Sequence, residues 1–220
     1  MHFAGRMINS PNDYDVVIKL IPTKNDNYFV CMRLCSIQDN RFAYRKNVLP
    51  TSMHPSQAAL IVSLAKPYLK ETAQIMDPFC GVGTLLIERA HLVPAREIYA
   101  TDTYGDAITM GRENAEFAKT RINFIHRDFF DFRHDYKFDE LITDMPVRNR
   151  QTKAEMELFY ERFFDKAAEH LVSGGIIVMY SNEIGFVKKQ IRLRVEYRLL
   201  QETCILDKND FYLFVIRYED

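Results

Sequence analysis

Cysteine is scarce in this sequence: four stand among 220 residues, at Cys31, Cys35, Cys80 and Cys204. Only the first two are close together, and no second pair and no histidine cluster stands near them, so we expect no metal site and reduced thiols. Long apolar runs are absent as well. None approaches the roughly 18 residues of a membrane span, and no signal-peptide pattern opens the chain. We therefore expect a cytoplasmic protein with no membrane partner.

An excess of charge of either sign is also lacking, because the formal net charge is −1. No global field therefore draws this chain to nucleic acid, and any such contact must come from local patches. Hydrophobic residues make up 47% and charged residues 27% of the chain, which is ordinary globular usage. A chain of this length is expected to form one large domain, or one domain with a small appendage.

The first 50 residues predict a small β-rich N-terminal unit. The segments YDVVIKLI and YFVCMRLCSI are rich in β-formers, and PTKNDN, a cluster of turn formers, separates them. The pattern then changes, because HPSQAALIVSLAKPYL has apolar residues near helical spacing, with Pro55 suited to a first turn. We therefore divide the chain into residues 1–50 and 51–220.

Residues 51–220 predict an α/β domain. From residue 74 onward, short apolar runs alternate with helical patterns. The predicted strands are QIMD, EIYATD, INFIHRD, FDELITD and GGIIVMYS, followed by LLQETCIL and FYLFVIRY at the end. Alternation of this kind is typical of a mostly parallel sheet covered on both faces, and the last two strands add an antiparallel hairpin.

The segment DPFCGVGTLLIE, residues 77–88, follows the first of these strands and opens a helix. Gly81 and Gly83 have no Cβ, so backbone N–H groups can approach a ligand closely. A dinucleotide fingerprint would need a third glycine at position 86, where Leu86 stands. No Gly-Lys-Ser/Thr follows to make a Walker loop. The loop therefore argues against NAD or FAD as the ligand.

Four successive predicted strands end in an aspartate: Asp77, Asp102, Asp128 and Asp144. Asp102 stands where open α/β sites place the carboxylate that accepts hydrogen bonds from ribose hydroxyls. Each aspartate alone could be a helix cap or a turn residue. The carboxyl ends of parallel strands, however, form one crevice, so we predict a ligand site on this rim.

These motifs resemble those of S-adenosylmethionine-dependent methyltransferases with the class I Rossmann-like fold. The most similar group is the RNA methylases that often carry a THUMP domain, once described as predicted N6-adenine-specific DNA methylases; it includes guanine-N2 methyltransferases of tRNA and rRNA. DPFCGVGTLLIE matches their first motif, LPTSMHPSQAALIVSLA resembles the segment before it, and LFYERFFDKAAEHLVSGG the helix after the catalytic loop. The resemblance covers about residues 36–217 and implies a seven-stranded, mostly parallel sheet.

The resemblance also implies S-adenosylmethionine as the cofactor and assigns residues to it. The residues implied to line its methionine part are Asp77, Phe79, Gly81 and Gly83. Asp102 would hold the ribose, with Thr103 beside the adenine. Asp128 would accept a hydrogen bond from the adenine amino group, with Phe129 packing nearby.

The segment FDELITDMPVRNR, residues 138–150, ends a strand on a carboxylate and a Met-Pro step. It is either an ordinary strand-to-loop transition or the lip of an active site. The family carries Asn/Asp-Pro-Pro-Tyr/Phe here, a loop that accepts hydrogen bonds from an exocyclic amine and stacks an aromatic ring on the base. Asp144 and Pro146 keep the acceptor and the stiff loop and are the implied catalytic residues. Met145 and Val147 depart from the pattern.

The residues implied to contact the substrate are Met145, Val147, Arg148 and Arg150. Base stacking is worth about 1–3 kcal/mol, which Val147 cannot supply. We therefore expect a nearby ring to replace it, with Phe159, Tyr160 and Tyr180 as candidates, or the substrate to be held in another way.

Basic residues form three groups along the chain. They are Arg148, Arg150 and Lys153; Lys188, Lys189, Arg192, Arg194 and Arg198; and Arg41, Arg45 and Lys46. The second group could form a one-sided basic stripe on a helix that contacts phosphates, or an ordinary solvated helix face.

The predicted function is S-adenosylmethionine-dependent methylation of an exocyclic base nitrogen in tRNA or rRNA, guanine N2 before adenine N6. The alternatives are methylation of DNA adenine N6 or of a protein glutamine, or a non-catalytic cofactor-binding interaction module. A THUMP-type RNA-docking domain is not recognisable before residue 14, so it is expected to be missing or separate. The oligomeric state stays open.

Overall fold

The computed structural model describes residues 14–34, 40–206 and 210–220. It divides the chain into two compact units, between Phe42 and Ala43. This division precedes the predicted boundary at residue 50, because the segment 43–50 is bonded to the larger unit. The Tyr44 hydroxyl donates to Glu88 at 2.6 Å, and the Asn114 side-chain oxygen accepts from the backbone N–H of Asn47 at 2.9 Å.

The N-terminal unit contains two antiparallel strands, β1 (Val16–Pro22) and β2 (Tyr28–Leu34). Their register runs from Val16 opposite Leu34 to Pro22 opposite Tyr28. The predicted turn lies between them, where the Thr23 N–H donates to the Asn27 carbonyl at 2.8 Å. The small β unit is therefore present, although residues 35–37 of its second predicted strand, including Cys35, lie outside the described residues.

The larger unit is an α/β structure. Its strands are β3 (Gln74–Asp77), β4 (Glu97–Asp102), β5 (Asn123–His126), β6 (Phe138–Asp144), β7 (Leu171–Ser181), β8 (Tyr197–Leu206) and β9 (Phe211–Tyr218). Its α-helices are α1 (Pro55–Ala65), α2 (Thr84–Leu92), α3 (Gly105–Phe117), α4 (Lys153–His170) and α5 (Ile184–Leu193), with 3-10 turns at Lys66–Tyr68 and Phe129–Asp131.

The seven strands form one sheet in the order β5-β4-β3-β6-β7-β9-β8. Strands β3 to β7 pair in parallel, whereas β9 runs antiparallel to both β7 and β8. The prediction of a mostly parallel sheet with an antiparallel C-terminal hairpin is confirmed. The chain leaves β3 toward β5 and then returns to β6 on the other side of β3. This reversal of strand order opens a crevice at the carboxyl ends of β3 and β6.

Two local devices fix the elements around this crevice. The buried Arg89 of α2 makes a two-pronged contact with buried Glu140 of β6, through Nε and Nη2 at 2.9 Å each, and so holds α2 against the strand. At the start of α4, Thr152 and Glu155 form a reciprocal capping box, which ends the loop after β6 at a defined residue.

One predicted strand end is wrong. β5 ends at His126, not at Asp128. Asp128 instead caps the 3-10 turn that follows, where its carboxylate accepts from the Phe130 N–H at 2.9 Å. Within the described residues, no helix is long and apolar enough to cross a membrane.

Candidate functional site

A cavity of about 560 Å³ lies at the carboxyl ends of β3, β4 and β6. Three of the four predicted rim aspartates line it, Asp77, Asp102 and Asp144. The other lining residues are Leu49, Thr51, Ser52, Met53, Phe79, Cys80, Gly81, Val82, Thr84, Leu85, Met145, Pro146, Val147, Arg148 and Asn149. The cavity therefore joins the glycine loop, which precedes α2, to the loop that follows β6.

The glycine loop needs both of its glycines. Gly81 and Gly83 have φ values of +51° and +78°, which L-residues with a side chain rarely adopt. A Cβ on Gly83 would also lie 2.8 Å from the Phe124 ring. A Cβ on Gly81 would meet nothing within 4 Å, so the backbone there faces open space. A ligand can therefore approach the Gly81 backbone closely.

Asp102 fastens the glycine loop to the end of β4. Its Oδ2 accepts from the Gly81 N–H at 2.9 Å, and its Oδ1 accepts from the Tyr104 N–H at 2.8 Å. Each carboxylate oxygen can accept a further hydrogen bond. The half-buried side chain thus both shapes the loop and offers acceptors to a ligand in the cavity.

Asp77 is fully enclosed, with an exposed fraction of 1%. Burial raises the pKa of its carboxyl well above the usual range, and the nearby carboxylates of Asp144 and Asp102 add to this, although the Phe79 N–H donates to its Oδ1 at 3.0 Å. Burial likewise raises the pKa of the Cys80 thiol. Cys80 is therefore a protonated packing residue. The carboxyls of Asp77, Asp102 and Asp144 favour a cationic ligand, because a positive charge would offset the repulsion between them.

Asp144 ends β6 and is half-buried. Burial raises its pKa to about 7, and within the described chain no donor forms a hydrogen bond that offsets this. An acceptor that has lost water without gaining a donor is set up to bind a donor from a ligand. At neutral pH this carboxyl can accept a hydrogen bond and can also take up a proton.

The loop after Asp144 is anchored through Met145. Its N–H donates to the Tyr180 carbonyl at 2.9 Å, a bond that proline could not make. Its side chain is 2% exposed and packs in the aromatic core beneath the sheet. Val147 is 50% exposed at the cavity mouth, and Arg148 Nε lies 3.7 Å from Glu183. The loop is therefore fixed by a buried side chain and a hydrogen bond where the family pattern has a proline ring.

Five predicted site residues do not line the cavity: Gly83, Thr103, Asp128, Phe129 and Arg150. Gly83 is the N-cap of α2, and its positive φ helps to shape the loop. The Thr103 carbonyl lies 2.9 Å from the His126 ring nitrogen, and Asp128 serves as the turn cap described above. Phe129 is 1% exposed and packs against Phe79. Arg150 is exposed.

The structure adds lining residues that sequence reasoning did not single out. Residues 51–53 belong to LPTSMHPSQ, a segment whose family resemblance was the available signal. Thr84 is the first residue of α2 and is buried, and its hydroxyl has no hydrogen-bond partner among the described residues. A buried hydroxyl that lines a cavity and lacks a partner suits a polar ligand group.

Of the two alternatives for the basic group around α5, the structure favours the solvated helix face, because carboxylates of other elements pair with most of these cations. Lys188 pairs with Glu202 at 2.8 Å, Lys189 pairs with Glu157, and Arg194 pairs with Asp165 at 2.5 Å. Exposed pairs of this kind form a solvated face and leave little charge for phosphate contact.

The chain matches a family model described as "RMKL-like, methyltransferase domain" over residues 43–203. A tRNA (guanine(10)-N2)-dimethyltransferase from Methanothermobacter thermautotrophicus is 31% identical over 187 residues, which are 80% of this chain and 54% of the relative. A release factor glutamine methyltransferase from Lactococcus lactis is 26% identical over 155 residues, 62% of this chain and 56% of the relative. The chain thus spans about half the length of these relatives.

The fold also matches a solved structure, that of TrmN from Thermus thermophilus. The TM-score is 0.71 at 20% sequence identity, and the match covers 92% of this chain and 60% of TrmN.

Proposed function

The chain belongs to the RMKL-like methyltransferase family, and on that premise we propose that it methylates the exocyclic N2 of a guanine in tRNA. The family membership confirms the prediction of an S-adenosylmethionine-dependent methyltransferase. The choice of guanine N2 as the target and of tRNA as the substrate goes beyond the family membership. It is supported by the relative that acts on guanine N2 of tRNA.

The cavity fits S-adenosylmethionine by its donor set. When bound, this cofactor supplies a methyl group on a positively charged sulfur. The carboxyls of Asp77, Asp102 and Asp144 suit such a cation, because a positive charge beside them would offset the burial and mutual repulsion that raise the pKa of Asp77. Asp102 offers acceptors to ribose hydroxyls, the Gly81 backbone permits close approach, and the unpartnered Thr84 hydroxyl can bond a polar group of the amino-acid part.

The observation that carries the proposal is the position of Asp144 in this same cavity. Its carboxylate can accept a hydrogen bond from the guanine amine and thereby turn the nitrogen lone pair toward the methyl group. Methyl transfer from the bound cofactor would form the N–C bond as the C–S bond breaks, with the electron pair of that bond left on sulfur. The nitrogen must lose one proton. With a pKa of about 7, Asp144 can hold that proton before it passes to water.

A second candidate function is methylation of a glutamine amide in a protein. The match to the release factor glutamine methyltransferase favours it. Both substrates present a planar NH₂ group on an sp² carbon, so Asp144 could orient either. The guanine reading is preferred because the tRNA-modifying relative is more similar and matches more of this chain.

The remaining partners follow from the length of the relatives. Because the chain spans about half of the tRNA-modifying relative, we propose that a further RNA-docking domain, of the THUMP type, lies elsewhere in the protein or on a separate chain. The proposed location is the cytoplasm, where tRNA is the accessible substrate.

The test is methyl transfer from labelled S-adenosylmethionine to unmodified tRNA transcripts, followed by digestion and mass spectrometry of the nucleosides. The expected product is N2-methylguanosine, formed by the wild type and lost with Asp144→Asn. Label on a release factor but not on tRNA would instead establish the glutamine function. No transfer to any of these substrates would refute the proposed activity.

A further inference from the structure

A groove of about 280 Å³ lies beside the loop that follows β6, between that loop and the first half of α4. Pro146 lines both this groove and the cavity. A strand of substrate that placed one base at Asp144 would therefore carry its neighbouring residue over this groove. The continuity through Pro146 makes the groove a candidate extension of the active site.

The floor of this α4 groove is apolar and partly aromatic. Leu158 is 54% exposed, whereas Met156, Tyr160, Phe163 and Phe164 of the same helix are buried in the core. The half-buried Phe159 ring packs on Phe79 with centroids 5.4 Å apart, and Phe79 lines the cavity. An apolar surface thus runs from the cavity to the groove. The flat ring of a nucleic-acid base can stack against such a surface.

Arg162 supplies a positive charge at the side of the groove, whereas the carboxylate of Glu155, which also lines it, accepts hydrogen bonds from Thr152 in the capping box. Arg162 is exposed, and its guanidinium lies 4.1 Å from the centre of the Phe130 ring. No carboxylate of the described residues forms an ion pair with it, in contrast to the three paired cations around α5. A cation held in place by a ring, with its donors unused, suits a phosphate.

The other rings considered as substitutes for the aromatic residue missing at position 147 are not accessible. Tyr160 is fully buried, and its hydroxyl lies 2.7 Å from Ser181. Tyr180 is 3% exposed, and its hydroxyl accepts from Gln57 at 2.8 Å. Among the three candidates, Phe159 is therefore the ring that a base can reach without unpacking the core.

We propose that the α4 groove binds the nucleotide adjacent to the methylated one in the RNA substrate. Its base lies against Leu158 and Phe159, and its phosphate contacts Arg162. The proposal rests on the proposed function, since it needs an RNA substrate. It gives this chain a flanking-nucleotide contact in place of the stacking that Val147 cannot provide.

The test compares steady-state methylation of tRNA by Leu158→Ser, Arg162→Gln, Phe159→Ala and Phe159→Tyr. The matched control is Arg133→Gln, because Arg133 is exposed but lies outside the groove and 3.5 Å from Glu169. For the first three variants we expect KM for tRNA to rise about 5- to 50-fold, from the usual strength of stacking and phosphate contacts. Phe159→Tyr and Arg133→Gln should keep the wild-type KM.

Affinity for S-adenosylhomocysteine and kcat should stay within about twofold of wild type for Leu158→Ser and Arg162→Gln, since neither side chain lines the cavity. A KM within twofold of wild type for both variants, with tRNA still methylated, would overturn the groove proposal and leave the proposed function standing.

If the wild type methylates no RNA, the proposed function fails. Equal binding of a tRNA transcript by wild type and both variants would then overturn the groove as well.

Discussion

The acidic cavity and the basic face of α5 differ in whether their charged side chains have ion-pair partners. The cavity gathers Asp77, Asp102 and Asp144 from three strands, and none of these carboxylates forms an ion pair among the described residues. On α5, Lys188 and Lys189 are each matched by a glutamate of another element. Charges held apart from partners are available to a ligand, whereas paired charges mainly solvate the surface.

The difference arises from where the partners come from in the sequence. Parallel strands bring their carboxyl ends to one edge, so the position of each aspartate at a strand end is enough to predict convergence. The partners of α5 come from α4 and β8, as Glu157 and Glu202 show. No local pattern in α5 reveals these glutamate partners. The sequence alone therefore leaves open whether the cations of α5 form a basic patch or a paired, solvated face.

The largest expected effect comes from breaking the cavity at its reactive end. Asp144→Asn keeps the size of the side chain and an oxygen that can accept the amine hydrogen bond, but it removes the carboxylate that takes up the proton. We expect the methyl-transfer rate in single turnover to fall by about 10²–10⁴-fold. Asp165→Asn, which changes an exposed carboxylate on the α5 side, should leave the rate unchanged. Equal rates for wild type and Asp144→Asn would remove Asp144 from the mechanism.

A second prediction concerns the anchor of the loop. Met145→Pro restores the family's proline but removes the N–H that donates to Tyr180 and a buried side chain of the core. We expect it to lower the free energy of unfolding by about 3 kcal/mol, as measured by denaturant titration. Met145→Leu should lower the free energy of unfolding by less than about 1.5 kcal/mol. A proline variant as stable as wild type would show that the anchor is unimportant.

The pH dependence sharpens the account of Asp144. Because its folded pKa is raised to about 7, the folded state holds the proton more tightly than the unfolded chain, whose carboxyl titrates near 3.9. Stability is therefore lost as pH rises from about 4 to 7. Asp144→Asn should raise the free energy of unfolding by about 2 kcal/mol at pH 8, after allowance for partial exposure, and by little at pH 4.

The methyl-transfer rate should depend on the same ionisation of Asp144, but it should rise with pH where the stability falls. Only the carboxylate can take up the proton that the nitrogen loses, so the rate of the wild type should rise with pH through about 7 and level off above it. A stability difference that is equal at pH 4 and pH 8, or a rate that falls through pH 7, would contradict this assignment.

The smallest effect is expected on α5. Lys188→Gln and Lys189→Gln remove charges that are already paired, so the dissociation constant for tRNA should change by less than about twofold at physiological salt. Arg162→Gln, an unpaired cation beside the cavity, provides the comparison. If the two lysine variants weaken tRNA binding more than Arg162→Gln does, the contrast between paired and unpaired charge is wrong.

Much of this fold follows from patterns that local physics dictates. Runs such as QIMD and EIYATD become β3 and β4 at the predicted residues, because each has a short apolar centre of the kind that is typical of buried parallel strands. The position of Asp128 does not follow from the strand pattern, because its role depends on a turn that begins after His126. The unpartnered hydroxyl of Thr84 could not be foreseen, since a missing partner is a property of tertiary packing and not of sequence.

The most direct test of the account is calorimetric titration with S-adenosylhomocysteine of the wild type, Asp102→Ala and Asp144→Asn. This ligand lacks the sulfonium charge, so it separates cofactor binding from the reaction. We predict binding by the wild type, unchanged affinity in Asp144→Asn, and a loss of about 10- to 100-fold in Asp102→Ala. Absence of binding by the wild type, or equal losses in both variants, would contradict a cavity with a cofactor end at Asp102 and a reactive end at Asp144.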